Sequence, residues 1–152
     1  MKKMPPIEKI PEAYSAIVDG RVEMDVEKAM AHIYSSDRTK AYTVTWNENV
    51  YTSNDNASYW KNAIGYPIIA VLLLQGKLPV NMEIINLFKN INWKSVNTRY
   101  KNKYDDALAE VFHTLAMKGV DLLPVQENLD NVYDDLEKLP VRTKRSAFRP
   151  PV

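Results

Sequence analysis

The hydrophobic pattern changes its period near residue 55, from alternation suited to strands to the three- and four-residue spacing of helices. Before that point Lys28 to Ser35, Ala41 to Trp46 and Val50 to Ser53 alternate, separated by turn-forming Asp37-Arg38 and Asn47-Glu48-Asn49. Arg21 to Asp25 alternates as well and is a further short strand. The pattern predicts an antiparallel meander of three strands, extended to four if Arg21 to Asp25 joins it. A short helix over Ile7 to Val18, ended by Asp19-Gly20, precedes it.

Pairing Ser35 with Lys40 sets Ala31 opposite Val44, Ile33 opposite Tyr42 and Ala29 opposite Trp46, all on one face. That face is the expected core side. The other face then carries Met30, His32, Tyr34, Thr43 and Thr45. With Trp46 opposite Val50, Tyr51 and Ser53 join them.

Downstream, Asn54-Asp55-Asn56 is placed to cap a helix starting near Ser58, and Pro67 suits the first turn of a second helix running to Leu74. This second helix is apolar on every side and belongs in the centre. Asn81 caps the next, with Ile84, Ile85, Leu87, Phe88 and Ile91 as its stripe. Trp93, Val96 and Tyr100 continue at helical spacing. A helix over Tyr104 to Lys118 stops at Gly119, and an amphipathic one over about Gln126 to Leu139 ends at Pro140. The fold class is α+β: a meander in the N-terminal third covered on one face by a C-terminal helical cluster. Residues 1–140 form one domain, and residues 141–152 are a basic tail without periodicity.

Composition narrows the chemistry. The 152 residues include no cysteine, which excludes disulfides, thiolate metal sites and a cysteine nucleophile, and fits a cytoplasmic protein. Prolines at 5, 6 and 11 break up the start, so no export signal is expected. The longest apolar run, Ile68 to Leu74, is far short of the ~20 residues that cross a bilayer, so no membrane partner is expected. The four glycines are too scattered for a dinucleotide fingerprint or a phosphate-binding loop. Neither a cofactor nor a metal is expected.

Charge is blocked along the chain: −2 over residues 1–55, +6 over 56–104, −7 over 105–139 and +4 over 140–152. The Glu110-x-x-His113 pair with Asp106 looks like half of a carboxylate-bridged metal site, but only one copy occurs, and a solvated stripe explains it. A basic stretch with Lys94, Arg99 and Lys101, together with Arg142, Lys144, Arg145 and Arg149 of the tail, is a candidate anion or nucleic-acid contact. Within it, a helix-turn-helix reading points Lys94, Asn97, Thr98 and Lys101 towards a groove. The acidic block that follows opposes nucleic acid, which ranks last.

The first expectation is a non-catalytic interaction protein, a homodimer joined through Met30, His32, Tyr34, Thr43, Thr45 and Tyr51. The second is a small-molecule-binding protein or enzyme with a pocket over His32, Tyr34 and Tyr51. No catalytic residue is assigned, because His32 has no identifiable orienting partner.

Overall fold

The computed structural model describes residues 2–152. Strands β1 (Val22–Asp25), β2 (Met30–Tyr34), β3 (Ala41–Asn47) and β4 (Val50–Ser53) form the antiparallel meander, and β5 (Arg142–Thr143) adds to its far edge. This last strand runs parallel to β4, with Val50 opposite Arg142 and Tyr51 opposite Thr143. The basic tail therefore begins as part of the sheet.

The expected pairing of the first hairpin is present: Ile33 faces Tyr42, His32 faces Thr43 and Ala31 faces Val44. The second hairpin is shifted by one residue. Asn47, not Trp46, pairs with Val50, so Trp46 meets Tyr51 and Val44 meets Ser53. The reason is a two-residue turn at Glu48-Asn49, with Glu48 in the left-handed region at φ 54°, where a three-residue turn was expected. A slip of one residue turns every side chain to the opposite face. Tyr51 and Ser53 accordingly lie in the core, each almost fully buried, and Tyr51 does not share a face with His32. The Trp46 and Tyr51 rings stack with centroids 6.4 Å apart, while Trp46 itself is only half-buried.

Seven helices complete the fold: α1 (Lys9–Val18), α2 (Asn56–Lys61), α3 (Tyr66–Leu74), α4 (Met82–Asn86), α5 (Trp93–Arg99), α6 (Tyr104–Met117) and α7 (Leu122–Lys138) among the described residues. Pro67 lies in the first turn of α3, and Pro67 through Leu73 are all buried, as an all-apolar helix requires. Helix α3 packs on β3 and β4 on one side and on α1 on the other, so it is the middle of the molecule. Helix α7 starts a turn earlier than its stripe suggests, because Asp121 caps it by accepting from the Leu123 amide.

Helix α1 holds the layers together. It touches α3, α4 and α7 and buries every residue from Ile10 to Ala16. Its Ser15 hydroxyl donates to the Phe88 carbonyl and accepts from the Trp93 indole nitrogen, tying α1 to the loop after α4 and to α5. Among the described residues no helix is long and apolar enough to cross a membrane.

Candidate functional site

A helix so deeply buried leaves its charged residues nowhere to reach open solvent, and α1 places Lys9 and Glu12 against a cleft with Glu8 behind them. The cleft measures about 310 Å³ and lies between α1, the turn joining β2 to β3, the α2–α3 junction, α5 and the first residue of α6. Polar side chains converge on it from all of these elements.

Arg21 comes directly after the end of α1. Gly20, at φ 68°, takes the left-handed conformation that closes the helix, and the Arg21 amide bonds back to the Ala16 carbonyl. The guanidinium is thereby folded inward, with 2% of the residue exposed. Nη1 donates to the Tyr34 carbonyl at 2.6 Å, and Nε is buried without a partner. No carboxylate lies within ion-pair distance of it among the described residues.

Glu12 and Asn97 face each other across the cleft. Asn97 Nδ2 donates to Glu12 Oε1 at 3.2 Å, while Lys9 Nζ sits 2.7 Å from Glu12 Oε2. Asn97 Oδ1 is buried and unpartnered. Lys9 Nζ also stands 4.0 Å above the Tyr104 ring, which suits a desolvated cation. Burial would lower the Lys9 pKa, but the Glu12 and Glu8 carboxyls outweigh it and hold the ammonium above the usual lysine range. Glu8 is fully buried, and burial followed by the Glu12 charge raises its carboxyl. Glu8 therefore keeps its proton at neutral pH, with neither carboxyl oxygen hydrogen-bonded among the described residues.

Asp55 forms the floor. Its carboxyl caps α2 by accepting from the Ser58 amide and also accepts from the Ser53 hydroxyl. Burial pushes its pKa up, against those hydrogen bonds. The Tyr42 and Tyr66 rings meet edge to face, with centroids 6.2 Å apart, and both line the cleft. Burial raises both phenols. Tyr66 feels Glu12, which raises it further, and Arg21, which lowers it. Lys40, Lys61 and Lys94 add positive charge at the rim, although Lys94 is held by Asp37 at 2.9 Å.

Of the residues singled out from sequence, Lys94, Asn97 and Thr98 line the cleft, and the others lie elsewhere. Met30, His32, Tyr34, Thr43 and Thr45 do share the outer sheet face and are half-buried, with His32 Nδ1 3.3 Å from the Thr43 hydroxyl. Tyr51 is on the opposite side. Its hydroxyl donates to Gln75 Oε1 at 2.6 Å and accepts from Lys77 Nζ at 2.9 Å. Among the basic candidates, Lys94 pairs with Asp37, Arg99 pairs with Glu110, and Lys101 is exposed just past α5. Asn97 points into the cleft instead of towards a nucleic-acid groove. Glu110 also accepts from the Tyr100 hydroxyl. Among the described residues no group of three acidic or histidine side chains is placed to hold a metal ion.

The tail is docked on its own chain. Arg142 lies in β5, Arg145 stacks 4.7 Å above the Tyr59 ring and 5.7 Å from Trp60, and the Arg149 carbonyl accepts from Asn54 Nδ2 at 2.9 Å. Lys144 is exposed, with its amide bonded to the Tyr51 carbonyl at 3.0 Å.

Sequence reading missed Glu8, Lys9 and Glu12, since charges on a short amphipathic helix are normally its wet face, and Arg21, which reads as the start of a short strand. The sequence carries no local signal of their enclosure, because α1 is covered by elements distant along the chain. Residues 2–142 match the profile of a family described as Uncharacterised conserved protein UCP014422. No curated protein and no solved structure matches the chain.

Proposed function

We propose, for a chain that belongs to the family Uncharacterised conserved protein UCP014422, that the cleft beside α1 binds a small molecule carrying an oxyanion. The observation behind this reading is the Arg21 guanidinium: buried, held on one side by a neutral carbonyl, and, among the described residues, lacking both a counterion and a partner for its Nε. A desolvated cation left in this state costs several kcal/mol, and an incoming carboxylate or phosphate offsets that cost through charge-assisted hydrogen bonds. The volume of about 310 Å³ is at the small end for ligand sites. A cytoplasmic setting goes with this reading, supported by the cysteine-free sequence.

The test is thermal unfolding in the presence of phosphate, acetate, malonate and hexanoate, with wild type and Arg21→Met compared. One or more of these anions should raise the wild-type Tm by about 5 °C at roughly one hundred times its Kd, and leave the variant unmoved. Equal shifts in both proteins would sink the reading.

A second reading is self-association through the outer sheet face. Its support is the half-exposed set of Met30, His32, Tyr34, Thr43 and Thr45, whereas α3 packs against the core side of β3 and β4. Methionine and tyrosine are enriched where chains meet.

A further inference from the structure

The cleft has two chemically different poles, and the second constrains the ligand beyond its anionic group. One set of groups lining the cleft donates: the Arg21 Nε, buried without a partner, the rim ammonium groups of Lys40 and Lys61, and the phenols of Tyr42 and Tyr66. At the other pole Asn97 Oδ1 is an acceptor, buried and unpartnered, beside the Glu12 carboxylate. A buried acceptor without a donor is costly, and a ligand that supplies the donor offsets that cost.

The nature of that donor follows from its neighbour. Lys9 Nζ is 2.7 Å from Glu12 Oε2 and already neutralises it. A second cation placed beside Asn97 and Glu12 would face Lys9 across a few ångströms of low-dielectric space. A neutral hydroxyl meets no such repulsion, and can also donate to the carboxylate oxygens, which have spare acceptor capacity. The aromatic walls of Tyr42, Tyr66 and Tyr104 suit the C–H faces of a hydroxylated body.

We infer that the ligand is a small polyhydroxylated oxyanion, a sugar phosphate or sugar acid, with its anionic group at Arg21 and a hydroxyl on Asn97 Oδ1. This inference rests on the oxyanion-binding reading above and adds the identity of the second pole.

The experiment is isothermal titration of the wild-type chain with matched pairs: glucose 6-phosphate against hexyl phosphate, and gluconate against hexanoate, with 6-aminohexanoate as the cationic comparison. In at least one pair the hydroxylated member should bind about tenfold more tightly than its alkyl partner, equivalent to ~1.4 kcal/mol. Asn97→Leu should abolish that preference while retaining the alkyl anion, and Asn97→Asp, which keeps an acceptor, should retain it. Alkyl anions that bind as tightly as their hydroxylated partners would overturn the inference and leave the oxyanion site standing, as would 6-aminohexanoate binding tightest of all. Absence of binding by every anion would remove both readings. The paired comparison uses wild type only, so its outcome stands even if a variant fails to fold.

Discussion

The Asp55 carboxyl occupies the space into which a side chain at Gly65 would grow: a β-carbon built on Gly65 falls 2.8 Å from Asp55 Cγ. Asp55 cannot give way easily, because Ser53 and the Ser58 amide hold it and the residue is buried. Gly65→Ala should therefore destabilise the protein by about 1–3 kcal/mol, as overpacking does. Urea unfolding measures it. A variant within 0.5 kcal/mol of wild type, on the order of an ordinary surface substitution, would mean that the carboxyl is mobile.

Ser15 bridges two buried partners, the Phe88 carbonyl at 2.5 Å and the Trp93 indole at 2.8 Å. Ser15→Ala leaves both unsatisfied in the core. The expected loss is about 1–3 kcal/mol for each group so stranded, and Trp93 fluorescence should report a changed environment. An unchanged emission maximum together with unchanged stability would refute the bridge.

Glu8 sets a pH dependence whose sign follows from its protonation. Its carboxyl is raised from 4.5 to about 10, by burial first and by Glu12 second, so over that window the native chain binds a proton that the unfolded chain has released. Stability from this group is intact below about pH 4.5 and declines as pH rises towards the native value, at most by about 1.4 kcal/mol per unit. Glu8→Gln cannot ionise. Its stability relative to wild type should grow between pH 5 and pH 9 in urea titrations at about three pH values, and parallel curves would refute the assignment.

Self-association through the outer sheet face predicts that wild type sediments as a dimer and that Thr43→Glu sediments as a monomer. A carboxylate desolvated in such an interface without a partner is costly. A wild type that is monomeric at high concentration removes this reading and leaves the cleft untouched, since Thr43 does not line it.

Much of the fold was legible because local patterns there agree with tertiary needs. Alternation fixed the first hairpin down to the Ile33–Tyr42 pair, and the all-apolar Pro67 to Leu74 segment announced a central helix. Asp55, Asn81 and the Pro67 turn marked helix starts through chemistry confined to a few neighbouring residues. The second hairpin was not legible. Asn47-Glu48-Asn49 allows either a two- or a three-residue turn, and only packing Tyr51 and Ser53 into the core selects the shorter one, at the expense of a left-handed Glu48.

By itself, then, the sequence determined the α+β class, the meander followed by helices and the register of the first hairpin, because these depend on periodicity and capping within a dozen residues. Only the tertiary structure decided the cleft. Glu12 and Asn97 are 85 positions apart, and Arg21 becomes a buried cation only because the turn after α1 folds it inward onto the Tyr34 carbonyl of β2. The tail was decided in the same way. Nothing local tells Arg142 to pair with β4 or Arg145 to stack on Tyr59, since both partners are brought there by the sheet and by α2. Burial and long-range charge are properties of the assembled layers, and a single chain pattern carries no record of which charged side chains those layers will enclose.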